Sequence, residues 1–205
     1  MPYLLFIFGC IGLSISCIGL YLPALQQLDL SVVSWMSLQR NPVFDAIALS
    51  LSMLGGLAAV LLISGLCCLW QARFKHHANL VFICLGISGS IVSGWVLKFL
   101  IDRPRPDMIE PLVHTYGASF PSAHSLYAAV LAMIAIFIGR QHSQSRIIMW
   151  VASFWWISMG LSRVYLGAHY PTDVLAGWSI GFIWTGLLWF AFQHTNVFKI
   201  KSNKI

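Results

Sequence analysis

The residues able to do chemistry gather in three short stretches: 98–106, 121–124 and 162–173. Asp173 stands four residues after His169, close enough at an opening helix to accept a hydrogen bond from one imidazole nitrogen and leave the other free to attack. The plainer reading of the same pair is a helix cap, because an acidic residue near a helix start is common. His124 is a second imidazole, suited to protonating a leaving alkoxide. Lys98, Arg105 and Arg163 bring positive charge, although any one of them alone could be a side chain snorkelling to lipid headgroups. Arginine grips phosphate oxygens with two N–H groups and lysine acts as a point charge, so the set suits a doubly negative group. A nucleophilic imidazole, an acid and cations around equatorial oxygens are the parts of phosphoryl transfer through a covalent intermediate. The cations neutralise the group themselves, so the expectation is neither a metal nor another cofactor.

These parts need elements to hold them. Pro121 and Pro171 each precede apolar residues, and proline suits the first position of a helix because its missing N–H costs nothing there. Ser122 and Ala123 would then occupy a first turn whose amides lack intrahelical partners, a natural anion site, with His124 on the same turn. Asp173 would sit in the first turn of the other helix, where a carboxylate suits the dipole.

The chain has 205 residues, 59% hydrophobic and 9% charged, with a mean hydropathy of +0.80. Soluble domains carry about 25% charged residues. Six apolar runs approach the ~20 residues needed to cross a bilayer: 3–22, 43–70, 78–97, 123–139, 147–161 and 174–192. The expectation is an all-α integral membrane bundle of six transmembrane helices, a single domain over 1–205. The first run reads as a retained helix, since no Lys or Arg precedes it and it is too long for the apolar part of a signal peptide. Between Pro23 and Pro42, Leu28, Leu30, Val32, Val33, Trp35, Met36 and Leu38 would form either a short amphipathic segment at the interface or a connecting loop.

On that layout Arg73, Lys75, Arg140, Arg146, Lys199, Lys201 and Lys204 share one side, and Arg40, Lys98, Arg103, Arg105 and Arg163 share the other with every acidic residue. The positive-inside rule places the first set in the cytoplasm. Both termini would then be cytoplasmic, and the three stretches would face outward across the cell membrane. The net charge of +6 needs no nucleic acid, because the tail of Lys199, Lys201 and Lys204 suits anionic lipid at the inner surface. His76 and His77 read as a solvated loop, and cysteines 10, 17, 67, 68 and 84 as small buried apolar residues without metal-ligand spacing. No GxxxG pair stands on one exposed face, which leaves the oligomeric state open.

The three stretches resemble the type 2 phosphatidic acid phosphatase (PAP2) family, whose signature reads Lys-x6-Arg-Pro, Pro-Ser-Gly-His and Ser-Arg-x5-His-x3-Asp. This chain carries Lys98 with Arg105-Pro106, Pro121-Ser122-Ala123-His124, and Ser162-Arg163 with His169 and Asp173, in that order and spacing. The resemblance implies a helical bundle acting on lipid phosphates near the outer membrane surface, without a metal. It implies His169 as the nucleophile that becomes phosphorylated, Asp173 as its orienting partner, His124 as the acid, and Lys98, Arg105, Ser122, Ala123 and Arg163 around the phosphate. Ala123 stands where the family has Gly; a methyl group is tolerable there if only the amide is used.

Candidate substrates are undecaprenyl pyrophosphate, phosphatidylglycerol phosphate and phosphatidic acid. Vanadate-dependent haloperoxidases share the motifs, but six spans and a site at lipid level favour a phosphatase. A protein that merely binds or moves anionic lipids would leave His124, His169 and Asp173 without work. Arg103 and Asp102 could contact a second phosphate but are expected as an exposed pair or a headgroup contact, and Glu110 and His114 could face the pocket but are expected as an ordinary solvated loop.

Overall fold

The computed structural model describes residues 2–193, all helix and connecting turns. The basic tail at Lys199, Lys201 and Lys204 lies outside the described residues. The helices are α1 (Pro2–Gly19), α2 (Pro23–Leu38), α3 (Pro42–Gly55), α4 (Leu57–Arg73), α5 (His77–Ile101), α6 (Ala123–Gly139), α7 (Ser145–Tyr165) and α8 (Pro171–Gln193). Proline opens α1, α2, α3 and α8. The Asn41 side chain caps α3 by accepting from the amides of Val43 and Phe44, an arrangement worth about 1 kcal/mol.

By length and hydropathy α1, α5, α7 and α8 can each cross a membrane, and α3 with α4 makes a fifth candidate as a bent pair. The sixth expected span is α6, apolar but only 17 residues long, at the short end of the ~17–25 that suffice. The run expected as one span over 43–70 is broken at Gly55 and Gly56, where the chain bends by 56°. A Cβ built on Gly55 would lie 2.4 Å from the end of the Met159 side chain, so the glycine lets the broken helix rest against α7 without moving that methionine. The segment between Pro23 and Pro42 is helical, with Leu28, Trp35 and Leu38 exposed and Asp29 and Val33 buried.

The most extensive packing joins α8 to α1 and α6, and α6 to α7. In a bilayer no hydrophobic force drives helices together, so close approach depends on small residues. Gly9, Gly12, Ser16 and Gly19 form the buried stripe of α1; a Cβ on Gly12 would come within 2.4 Å of Ser179 Oγ on α8. At the α6–α8 contact a Cβ on Gly177 would lie 2.5 Å from the Ser122 carbonyl oxygen. That approach draws the first turns of α6 and α8 together.

Two expectations are corrected by this packing. Cys10, Cys17, Cys67 and Cys84 are exposed on the outer helix faces and Cys68 is half-buried, because the lipid-facing surface of a bundle is as apolar as its interior. Pro121 does not open α6: the Phe120–Pro121 bond is cis, Ser122 is the cap with φ −70° and ψ 110°, and Ala123 is the first helical residue.

Candidate active site

The end of α5, the start of α6, the end of α7 and the start of α8 meet at one end of the bundle, bridged by the connection over 102–122. Lys98, in the last turn of α5, donates to the Ala118 carbonyl at 2.5 Å and lies 3.5 Å from that of Ser119. Asp102 follows in the left-handed region at φ 43°, its amide bonded to the Lys98 carbonyl, and this turn directs the next residues back over the bundle. Arg105 then holds the connection in shape. Its guanidinium donates to the carbonyls of Gly117 (2.9 Å), Tyr116 (2.8 Å) and Ala168 (2.7 Å), and Nη1 lies 3.4 Å from His169 Nε2.

After α7 the chain reverses through Gly167 at φ +73°, a conformation that strains any residue with a Cβ. The reversal sets His169 in the interior, only 3% exposed, with Nδ1 3.5 Å from Asp173 Oδ2. Asp173 is fully buried, and its other partners are all donors: Arg103 Nη1 at 2.6 Å to Oδ1, the Tyr170 amide at 2.9 Å to Oδ2, and the Ser119 hydroxyl to Oδ2. A guanidinium can only donate. Arg105 beside Nε2 therefore favours the tautomer with the lone pair on Nε2 and the hydrogen on Nδ1, facing the carboxylate. Burial pushes the His169 imidazole down to about 3, against the pull of Asp173 and with the help of Arg163 and Arg105. The ring is thus neutral at ordinary pH, with an unprotonated nitrogen.

His124, the second residue of α6, rests against the break between α3 and α4: a Cβ on Gly55 would lie 3.4 Å from its Cδ2 and one on Gly56 3.8 Å from its Nε2. Arg163 is buried; its Nη1 donates to Ser52 Oγ at 2.5 Å, while its Nε has no hydrogen-bond partner. A buried donor left in that state costs about 1–3 kcal/mol unless a ligand meets it.

A cavity of about 210 Å³ is lined by Lys98, Arg105, Ala123, His124, Arg163 and His169, together with His114, Thr115, Tyr116, Leu57, Gly94, Trp95 and Tyr127. The structure brings together six of the eight residues expected from sequence. The other two, Ser122 and Asp173, stand behind the wall. The Ser122 amide donates to the Asp173 carbonyl at 3.0 Å and its hydroxyl accepts from Ser125 at 3.0 Å, so this residue ties the two helix starts together.

The expectation for Arg103 is corrected: its side chain is 11% exposed and pairs with Asp29 and Asp173, not Asp102, because the turn at Asp102 aims it inward. His114, expected in a solvated loop, is exposed but lines the cavity. Sequence reasoning missed Asp29, Ser52, Ser119 and Thr172. Asp29 alone left a trace, as the single carboxylate in the apolar stretch of α2.

The family model described as the PAP2 superfamily matches residues 77–196. Phosphatidylglycerophosphatase B of Bacillus subtilis is 43% identical over 93 residues, 43% of this chain and 45% of that protein. The chain thus spans less than half of that relative's length. Undecaprenyl-diphosphatase BcrC of Bacillus subtilis is 29% identical over 163 residues, 75% of this chain and 77% of that protein. The crystal structure of a transmembrane PAP2 type phosphatidylglycerolphosphate phosphatase from Bacillus subtilis superposes with a TM-score of 0.78 at 29% identity, over 99% of this chain and 98% of that one. With the family match covering more than half of the chain and holding every residue of the three motifs, the chain belongs to the PAP2 superfamily.

Proposed function

We propose that this protein hydrolyses phosphate from lipid phosphates or diphosphates through a phosphohistidine on His169. The observation that carries the reading is one small cavity lined by three imidazoles, those of His114, His124 and His169, by three cations and by the apolar residues Leu57 and Trp95. Trp95, in the cavity lining, is itself exposed on α5, so a lipid can keep its tail in the bilayer and present its headgroup sideways.

In the first step the Nε2 lone pair of His169 forms a bond to phosphorus, and the bond from phosphorus to the lipid oxygen breaks with its electron pair on oxygen. His124 gives that oxygen its proton. Lys98, Arg105, the unpartnered Nε of Arg163 and the first amides of α6 hold the equatorial oxygens, as preorganised donors do where charge develops. In the second step water attacks phosphorus, His124 takes the water proton, the nitrogen–phosphorus bond breaks, and inorganic phosphate leaves with His169 restored.

The test is phosphate release from phosphatidic acid, phosphatidylglycerol phosphate and undecaprenyl pyrophosphate by protein purified in detergent with a chelator present. Release from at least one lipid, undiminished by chelator and inhibited by orthovanadate as a trigonal-bipyramidal mimic, is expected. Strict dependence on added divalent metal, or indifference to millimolar vanadate, would overturn the reading.

We also place the site on the outer side of the membrane. At the opposite end of the bundle Arg73 ends α4 and Lys75 follows it, and Arg140 and Arg146 flank the turn between α6 and α7, which supports a cytoplasmic assignment for that end. His114→Cys in a background with all five cysteines replaced is expected to react with an impermeant thiol reagent in intact cells. Labelling only after lysis would reverse the orientation.

A further inference from the structure

We infer that Asp29 and Arg103 are positioning residues for the reaction: α2, an element outside the family match, sets the catalytic carboxylate Asp173 through a shared guanidinium. The inference rests on the proposed phosphatase reading.

Asp29 is 1% exposed on a helix whose Leu28, Trp35 and Leu38 face outward. A carboxylate is not buried without strong partners. Its Oδ1 accepts from the Thr172 amide at 3.0 Å, one of the first-turn N–H groups of α8, and its Oδ2 accepts from the Thr172 hydroxyl and from Arg103 Nη2 at 2.8 Å. Arg103 spends its other terminal nitrogen on Asp173 Oδ1 at 2.6 Å and on Thr172 Oγ1 at 2.8 Å, while its face lies 4.1 Å over the Tyr170 ring. The guanidinium is thereby fixed on both edges and one face. It meets Asp173 on the oxygen that does not face His169, so it leaves Oδ2 directed at the imidazole.

Two carboxylates share one cation in this arrangement. Neutralising Asp29 frees the guanidinium to move wholly onto Asp173, turning the carboxylate and drawing its charge away from Nδ1 of His169. The substrate-binding groups, Lys98, Arg105 and Arg163, are untouched by that change. The predicted signature is a fall in kcat with KM preserved, and a misplacement of about 1 Å at the nucleophile costs about 10²-fold.

The experiment uses the full chain in detergent and whichever of the three lipids the wild type hydrolyses fastest. Asp29→Asn keeps the side-chain shape and a bond to the Thr172 amide, and is expected to lower kcat at least about tenfold with KM changed less than about threefold. Arg103→Ala is expected to lose about 10²-fold and to regain activity with added guanidinium ion, which His169→Ala cannot. Because Asp29 acts through Arg103, the double variant Asp29→Asn/Arg103→Ala is expected to be no slower than Arg103→Ala alone. If Arg103→Ala does not fold, Arg103→Lys replaces it in the same cycle, its single ammonium being unable to span both carboxylates. An active wild type with Asp29→Asn at the wild-type rate, a change in KM alone, or losses that simply multiply in the double variant would overturn the inference while leaving the phosphatase reading intact. A wild type inactive on all three lipids removes that reading and the inference together.

Discussion

His169→Ala is expected to abolish phosphate release, with a loss on the order of 10⁴–10⁶-fold in kcat, the range seen when a nucleophile working as part of a unit is removed. The size follows from the geometry. Nε2 of His169 is the unprotonated nitrogen in the cavity whose partner nitrogen is backed by a carboxylate, and burial keeps the ring neutral far below physiological pH. Binding groups remain in the variant, so orthovanadate is expected still to bind it, though more weakly. Rapid quenching of the wild type with phosphorus-labelled lipid into alkaline detergent is expected to leave label on the protein, since phosphohistidine survives base. His169→Ala carries none. Label on the alanine variant would assign the covalent step to another residue.

Asp173→Asn is expected to come close to the same loss, about 10⁴-fold by analogy with other carboxylates that set an imidazole tautomer. Arg103 donates to one carboxylate oxygen, and Tyr170 and Ser119 donate to the other. An amide NH₂ in either position therefore confronts a donor. The asparagine must lose a buried hydrogen bond at about 1–3 kcal/mol or turn, and either response disturbs His169. Normal turnover by Asp173→Asn would show that the carboxylate charge is not needed.

The cavity was legible in the sequence because its residues are held by short-range rules. Lys98 and Arg105 flank one helix end, and His169 and Asp173 flank one helix start, so their spacing along the chain is already their spacing in space. What the spacing could not show is contact between elements far apart in the chain. Asp29 reaches Thr172 across 143 positions and Ser52 reaches Arg163 across 111; neither pair shares any periodicity. Arg103 looked like a surface charge because its neighbour Asp102 offered a local partner, and only the left-handed turn at Asp102 sends it inward. The break at Gly55 and Gly56 hid inside a continuous apolar run, where hydropathy is blind to a bend. Burial misled in the opposite sense for the cysteines, since an apolar side chain in a membrane bundle is as content facing lipid as facing the core.

His124→Ala is expected to lose about 10²–10⁴-fold on phosphatidic acid, or about 2.7–5.4 kcal/mol of transition-state stabilisation, and the loss in the first step alone is expected to shrink as the leaving group improves. An alkoxide leaving from a phosphomonoester needs its proton as the bond breaks. The leaving group of a lipid diphosphate is itself a phosphate, stable without a proton, and p-nitrophenolate needs still less help. On those substrates the first step of the variant is expected to run nearly unimpaired. The second step does not improve with the leaving group, because the same His124 must then take a proton from water. With p-nitrophenyl phosphate the variant is thus expected to show a burst of one nitrophenolate per enzyme followed by slow turnover, while labelled phosphate builds up on His169. The position of His124 on the cavity wall beside His169 allows one imidazole to serve both steps. A loss of equal size on every substrate, with no burst, would make His124 a phosphate-binding group and would leave the proton to come from elsewhere.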